Sequence, residues 1–144
     1  MPESDLLQKV TVRLLLPAER ASFDQLLEQK HYLHSARLGE PSLRYVAEAD
    51  GHWLALITFS GASPHTKARE QRIGWTPRQR ARRLGLVVNN SRFLVLAQRQ
   101  RYPNLASRVL ALCLQRLNRD WQAQWGHPVV LVAPRTLTEG LGRA

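Results

Sequence analysis

The stretch LRYVAEADGHWLALITF, residues 43–59, decides the fold that this sequence predicts. Both of its halves are rich in the apolar, β-branched and aromatic residues that are typical of strands. Asp50-Gly51 between them is a strong signal for a tight turn, because both residue types tolerate a positive φ. The stretch therefore predicts an antiparallel hairpin with strands over residues 43–48 and 53–59.

The chain before the hairpin predicts a strand and then a helix. Residues 10–16 (VTVRLLL) form a short apolar run, which indicates a strand. Pro17 suits the first position of a helix, and apolar residues then recur at helical spacing at Phe23, Leu26 and Leu27. After the hairpin, residues 61–74 are polar and basic and carry a proline, which indicates a loop.

The chain after this loop predicts two helices and two strands. Thr76-Pro77-Arg78-Gln79 has the form of a helix start, so we expect a short arginine-rich helix there. Residues 86–96 indicate a strand that is broken or bulged around Asn89-Asn90-Ser91. A long helix from about Asn104 to about Trp125 carries one apolar stripe, formed by Leu105, Val109, Leu112, Cys113, Leu117 and Trp121. Residues 129–132 indicate a last short strand.

The order of these elements predicts an α/β (α+β) fold, with a mixed, largely antiparallel sheet and flanking helices. It is similar to the beginning of the GNAT-type acyltransferase fold. The 144 residues, 44% of them hydrophobic, are enough for a single core without metals or disulfides. We predict one domain over residues 1–132 and a divergent tail over residues 133–144, so that the sheet is incomplete at its C-terminal end.

Positive charge is concentrated in one quarter of the chain. The sequence has 21 Lys and Arg against 11 Asp and Glu, and the window from Lys67 to Arg101 holds ten cations and one acid. Nine of these ten are arginine, whose planar guanidinium group binds phosphate in bidentate fashion and stacks on bases. The window predicts a polyanionic partner, and a solvated basic face is the alternative that charge alone leaves open.

The sequence predicts a cytoplasmic protein that does not enter a membrane. No stretch approaches the roughly 18 consecutive apolar residues that a membrane helix needs, and the N-terminus lacks the features of a signal peptide. The single cysteine, Cys113, lies among leucines, where a small buried residue is the expected role.

Three segments carry a resemblance to a known family. They are LRYVAE with GHWLA (residues 43–48 and 51–55), IGWTP (residues 73–77) and LVVNNSRFLVL (residues 86–96), the last continuing through YPNLAS, DW and GHP. They resemble the DruA-like family, which is met in Druantia anti-phage systems and beside some transposases. The resemblance spans residues 6 to 132 and implies partner proteins of a defence or transposition system, but no reaction. Similar proteins continue differently after the last strand, so we expect a C-terminally truncated copy.

The best candidate site combines arginines, asparagines and an aromatic residue in the basic window. Arginine contacts phosphates, asparagine reads base edges, and an exposed aromatic ring stacks on a base. The predicted nucleic-acid-binding residues, with DNA the favoured partner, are Arg72, Trp75, Arg78, Arg80, Arg82, Arg83, Asn89, Asn90, Arg92, Arg99 and Arg101. The alternative places Trp75 and Phe93 in the core and makes Asn89-Asn90 bulge residues that tolerate positive φ.

A second hypothesis is acyl transfer from acetyl-coenzyme A. Exposed amides at a helix N-terminus bind phosphates, so the start of the long helix is the candidate place. The nearest match to a cofactor loop uses Arg101, Asn104, Leu105 and Ala106, with Asn104 where a glycine is expected. Pro103 also removes one amide donor, so an ordinary helix cap is the alternative.

Other catalytic and metal-binding patterns are weaker. The acids lie on different elements, unlike the gathered carboxylates of a two-metal nuclease. His31 and His34 lack a third ligand nearby, which indicates solvated helix-end histidines and no metal site. Ser60, Ser63 and His65 lack an orienting acid. We therefore predict a nucleic-acid-associated accessory domain without cofactor or catalytic activity of its own.

Overall fold

A five-stranded sheet with helices on both faces forms the part of the chain that the structure describes. The structure, a computed structural model, describes residues 2–31, 38, 41–61, 87–97, 101–129 and 131–133. The strands are β1 (Thr11–Leu14), β2 (Ser42–Ala49), β3 (His52–Gly61), β4 (Val87–Val95) and β5 (Leu131–Ala133). The helices are α1 (Glu3–Lys9), α2 (Arg20–Lys30) and α3 (Leu105–Trp125), and a 3₁₀ turn (Pro17–Glu19) precedes α2.

The strands lie in the order β1-β2-β3-β4-β5. The first three pairings are antiparallel, whereas β5 pairs with the start of β4 in parallel. The parallel pair needs a crossover, and α3 lies in the chain between its two strands. The mixed, largely antiparallel sheet with flanking helices confirms the predicted α+β class. The similarity to the acyltransferase topology stays a prediction.

The hairpin at the centre of the sheet is confirmed. Strands β2 and β3 pair from Ser42–Ser60 to Ala49–His52, and Asp50 and Gly51 connect them with φ angles of 51° and 78°. Two successive positive φ angles are characteristic of a type I′ turn, whose twist matches that of the strands. Local turn chemistry therefore determines the pairing next to the turn, and an irregularity between Ala47 and Glu48 shifts the register of the rest of the two strands.

The larger core lies between α3 and one face of the sheet. The predicted helical stripe is buried at Leu105, Val109, Cys113, Leu117 and Trp121. It packs with Tyr45, Ile57 and Phe59 of β2 and β3. The helix ends at Trp125, as predicted, and Gly126 follows it with a φ of 82°. Helix α1 was not predicted, since seven residues are too few to show a helical period, yet its Leu6 belongs to this core.

The smaller core lies on the opposite face under α2. Phe23 and Leu27 of this helix pack on Val46 and Leu56, as the helical spacing predicted. His31 follows α2 directly and is 1% exposed. The expectation of a solvated histidine at this position was wrong, because α2 ends against the sheet and carries His31 into the interior.

Several predictions fall on residues outside the described ranges. These are the arginine-rich helix that starts at Thr76, His34, and all but the first residue of the predicted loop (61–74) and tail (133–144). Those first residues were predicted wrongly, since Gly61 ends β3 and Ala133 ends β5. The domain boundary at residue 132 stays a prediction. Among the described residues, none of the helices has both the length and the apolar character that crossing a membrane requires.

Candidate functional site

A β-bulge in β4 is the local feature from which the candidate site is built. Thr58 of β3 pairs with Arg92, but the next residue, Phe59, pairs with Asn90, so Ser91 is the extra residue. The Asn90 amide donates hydrogen bonds to the carbonyl oxygens of Thr58 (3.0 Å) and Arg92 (3.3 Å). The predicted bulge is confirmed. The bulge does not use the positive φ that asparagine tolerates, since Asp50 is the only non-glycine residue with a positive φ in the described ranges.

The bulge brings three hydroxyl groups together. The Ser91 hydroxyl lies 2.7 Å from that of Thr58 and 2.8 Å from that of Ser60, and either oxygen can be the donor in each pair. Thr58 and Ser60 are buried, whereas Ser91 is half-buried. Buried hydroxyls cost free energy unless they are hydrogen-bonded, and this network satisfies that need internally.

Two arginines flank these hydroxyls in one cross-strand row. Arg44 of β2 and Arg92 of β4 both pair directly with Thr58, from opposite sides. Their Cα atoms are therefore about 10 Å apart, two strand spacings, with all three side chains on the same face. Arg44 donates to the Ser42 hydroxyl (3.3 Å) and Arg92 to the Ser91 carbonyl (2.8 Å). We call Arg44, Thr58 and Arg92 the arginine row.

The arginine row divides one face of the sheet into a polar and an apolar half. Two residues further along the same strands, Val46, Leu56 and Leu94 form an apolar cross-strand row. Helix α2 covers that apolar row. The polar half therefore does not contribute to the smaller core.

The predicted nucleic-acid-binding residues are placed as follows. Asn89 lies in the sheet, where it pairs with Ser60 of β3 on one side and with Ala133 of β5 on the other. Arg101 is exposed in the loop before α3, with its guanidinium 5.3 Å from the Tyr102 ring centre. Arg92 belongs to the arginine row. The other members lie outside the described residues: Arg72, Trp75, Arg78, Arg80, Arg82, Arg83 and Arg99.

A carboxylate of the same chain, that of Glu3, lies at the N-terminus of α3, which is the candidate cofactor site. Glu3 of α1 accepts hydrogen bonds from the backbone amide of Asn104 (2.8 Å) and from its side-chain amide (2.9 Å). Asn104 is the N-cap residue, as predicted, although its side chain does not cap the helix amides. Leu105 is fully buried in the larger core. A negative group thus already lies where a cofactor phosphate was considered.

A buried polar network links α3 to β1 and β2. Asp120 accepts hydrogen bonds from the Tyr45 hydroxyl (2.8 Å) and from Arg116 (2.7 Å), which also donates to the carbonyl oxygen of Val12 (2.6 Å). Burial, together with the Asp120 carboxylate, raises the pKa of Tyr45 far above its usual value. The sequence analysis missed this network, although the i, i+4 spacing of Arg116 and Asp120 was a visible signal.

Cys113 has the structural role that its position among leucines predicted. Cys113 is buried in the larger core, and burial raises the pKa of its thiol to about 12. A thiol with this pKa is not a nucleophile at neutral pH. The described residues contain no group of three or more His, Cys, Asp or Glu that could hold a metal ion.

Comparison with known proteins gives one family match. A family model described as Druantia protein DruA matches residues 6–142. The chain belongs to the DruA family. Searches of curated proteins and of solved structures found no match. The match begins at residue 6, as predicted, and it continues past residue 132, where we placed the domain boundary.

The segments that carried the resemblance to the DruA family form the centre of the sheet. LRYVAE lies in β2, GHWLA includes the start of β3, and NNSRF contains the bulge of β4. The first and the last of these contribute Arg44 and Arg92 to the arginine row. The IGWTP segment lies outside the described residues.

Proposed function

We propose that this DruA-family chain is a nucleic-acid-associated, non-catalytic accessory component of a phage-defence or transposon-linked system. Membership of the family associates it with the Druantia anti-phage systems, and other proteins of such a system are its proposed protein partners. The observation that carries the proposal is the distribution of charge between the folded framework and the basic window.

Many of the acidic residues of the chain form ion pairs within the folded framework, by which we mean the described residues. The described residues include ten Lys and Arg and eight Asp and Glu. Five of these acids form ion pairs with described cations: Glu19, Asp24, Glu48, Asp50 and Asp120. At most the other six acids of the chain can pair with the ten cations between Lys67 and Arg101. The window thus keeps a positive surplus even if every remaining acid pairs within it.

A surplus made mainly of arginine favours phosphate contacts over base reading. Arginine binds phosphate oxygens in bidentate geometry, and the resulting counterion release is independent of base sequence. The Asn90 amide donates to two backbone carbonyls in the bulge, so the proposal assigns it no role in base recognition. We propose binding to DNA through phosphates, with little sequence preference.

The test is the salt dependence of duplex DNA binding, measured by fluorescence anisotropy with a labelled oligonucleotide. The slope of log affinity against log salt is about −0.9 per phosphate contact, so four or five contacts give a slope of about −4. Arg78 and Arg82 share a face of the expected helix at i, i+4. Replacing both with alanine is expected to make the slope shallower by about two if that face binds.

Two matched variants complete this experiment. The double replacement of Arg80 and Arg83 removes the same charge from the other face of the expected helix. The double replacement of Arg108 and Arg119 removes it from the exposed face of α3, outside the window, and is expected to leave the slope unchanged. A wild-type protein without salt-dependent binding at low ionic strength would overturn the proposal.

Acyl transfer from acetyl-coenzyme A is the second candidate function. The parallel β4–β5 pair, connected through α3, is the observation that favours it. The Glu3 carboxylate at the start of α3 opposes it, because it would repel a cofactor phosphate. A thermal-shift comparison decides, since a ligand at a hundred times its Kd stabilises by about 2.7 kcal/mol. Stabilisation by acetyl-coenzyme A but not by DNA would reverse the ranking.

A further inference from the structure

We propose that the groove between the edge strand β1 and helix α3 binds an extended, acidic segment of a partner protein, which adds to the sheet as a further strand. The segment pairs with the outer edge of β1 and places side chains in two cavities along the groove. This inference goes beyond the proposed function, because it does not depend on DNA binding by the basic window.

The outer edge of β1 directs backbone groups away from the sheet. Within the described residues, β1 lies at one end of the sheet and pairs only with β2. The Leu15 amide donates to the Arg44 carbonyl oxygen of β2 (2.9 Å). Because successive residues of an antiparallel strand face opposite edges, the N–H and C=O groups of Val12 and Leu14 point away from β2. The contact between the Val12 carbonyl oxygen and Arg116 of α3 agrees with this orientation.

This edge still has donors for a further strand. The Val12 and Leu14 carbonyl oxygens each accept an arginine side chain, from Arg116 (2.6 Å) and from Arg13 (3.3 Å). The amides of the same two residues have no acceptor among the described residues. Each carbonyl oxygen also keeps a second lone pair. The edge can therefore form main-chain hydrogen bonds with an extended segment, which is the basis of binding by strand addition.

Two cavities lie beside β1 at a spacing that fits an extended segment. The larger, of about 350 Å³, is lined by residues 10–12 and by Leu112 and Arg116 of α3. The smaller, of about 280 Å³, is lined by residues 14–17 and by Gln124 of α3. The two lining segments are about four residues apart along the chain, or about 13 Å at 3.3 Å per strand residue. Side chains at positions i and i+4 of a strand have this spacing and the same face.

The smaller cavity suits an apolar side chain. Its lining includes Leu14, Leu15, Leu16 and Pro17, and the Leu16 side chain is 56% exposed. Covering apolar surface with another apolar group is favourable in water. We therefore expect one apolar residue of the bound segment at this cavity.

The charge of the groove selects an acidic segment. The described residues that line the two cavities include no acid and four arginines, which are Arg20, Arg44, Arg116 and Arg119. Asp120 is shared between Arg116 (2.7 Å) and Arg119 (3.7 Å), and the Arg119 side chain is 76% exposed. The groove thus complements carboxylates. A second copy of this chain is disfavoured as the occupant, because its β1 would bring the same arginines to the interface.

The test begins with peptides, since the partner is unidentified. A random library of ten-residue peptides displayed on phage is selected on the immobilised full chain, and the affinity of enriched peptides is measured by fluorescence anisotropy. We expect enriched peptides with net negative charge and with apolar residues four positions apart. No enrichment, or enrichment of peptides without negative charge, would overturn the inference.

Two charge reversals on α3 locate the binding site. Arg119→Glu places a negative charge in the larger cavity and is expected to lower the peptide affinity at least about fivefold, because repulsion replaces an ion pair. Arg108→Glu makes the same change on the same helix outside both cavities. It is the matched control, with an expected change below about twofold. Equal effects of the two variants would assign binding to the overall charge of the chain, against the inference.

Strand addition is tested on the peptide. The N–H groups of a strand alternate between its two edges, so N-methylation of one alternate set of amides blocks pairing with β1 and N-methylation of the other set does not. We expect one methylated version to bind at least about tenfold more weakly than the other, since several backbone hydrogen bonds are lost. Equal affinities of the two versions would contradict strand addition.

Amide hydrogen exchange, followed by NMR in the wild type, identifies the edge without any change to the protein. Exchange of the Val12 and Leu14 amides is expected to slow at least about tenfold when the peptide binds. Unchanged exchange at both amides would place the peptide elsewhere and overturn the inference. Peptide binding with these properties, but without salt-dependent DNA binding, would overturn the proposed function alone.

Discussion

Removal of the Asp120 carboxylate is the change whose effect on stability follows most directly from the structure. Its side chain is 9% exposed and accepts two short hydrogen bonds, from Tyr45 and from Arg116. Asp120→Ala leaves the Tyr45 hydroxyl buried without an acceptor and Arg116 without its closest anion. The variant therefore loses two hydrogen bonds and a longer ion pair with Arg119 (3.7 Å), and the Tyr45 hydroxyl and the Arg116 Nε lose their acceptor.

The magnitude follows from the burial of the partners. Breaking a buried ion pair by removing one member costs about 3–5 kcal/mol. Because the Arg116 side chain is 26% exposed, water recovers part of its loss, and we expect the lower end, about 3 kcal/mol. Tyr45→Phe removes only one hydrogen bond to a charged acceptor and is expected to cost about 1.5 kcal/mol. The double variant has no tyrosine hydroxyl that could be left without an acceptor. We therefore expect it to lose about 3 kcal/mol of unfolding free energy, rather than the sum of the two single losses.

Urea unfolding, followed by tryptophan fluorescence and circular dichroism, measures all four free energies of unfolding. The expected coupling between the two positions is about 1.5 kcal/mol, well above the roughly 0.5 kcal/mol by which independent sites deviate from additivity. Additive effects within that margin, or an Asp120→Ala cost below about 1 kcal/mol, would refute the assignment of the network as a connection between α3 and the sheet.

Three further predictions test other parts of the fold. Cys113, whose thiol pKa burial raises to about 12, is expected to resist iodoacetamide at pH 8 in the native protein and to react on unfolding; rapid native labelling would contradict its burial. Gly51→Ala is expected to cost about 1 kcal/mol in urea unfolding through its φ of 78°, because no other atom lies within 4 Å of the added Cβ; Gly51→Asn, whose residue type tolerates a positive φ, is the control and is expected to cost less. Hydrogen bonds from Arg13 lower the pKa of Glu19 to about 2, so its stabilisation is complete above pH 4.5 and is lost as the pH falls toward 2. The stability difference between the wild type and Glu19→Gln is expected to shrink over that interval, and a constant difference would argue against the ion pair.

Much of the framework could be predicted because its signals are local. The turn at Asp50-Gly51 depends on two adjacent φ angles, and the buried stripe of α3 repeats at the helical period. The bulge was predicted from three adjacent polar residues between two apolar runs. Helix α1 could not be predicted in the same way, because its burial rests largely on Leu6 and on contacts with distant residues.

The candidate site could be predicted only in part. The basic window and Arg92 were visible in the sequence, but Arg44 and Thr58 carry no local signal of a shared site. Pairing of three strands places these residues side by side. For Asn90 the residue type suggested a site that the structure does not support. Asparagine is typical of base recognition, but the Asn90 amide donates to two backbone carbonyl oxygens in the bulge.

The sequence by itself determined the central hairpin, the long helix, the surplus of positive charge and the family. Each of these depends on composition, on neighbouring residues or on a short repeat. Only the tertiary structure decided that Arg44 and Arg92 flank one threonine, that Glu3 occupies the start of α3, and that His31 is buried. The physical reason is that cross-strand register and helix docking join residues far apart in the chain, 101 positions for Glu3 and Asn104, and such contacts leave no periodic trace in the sequence.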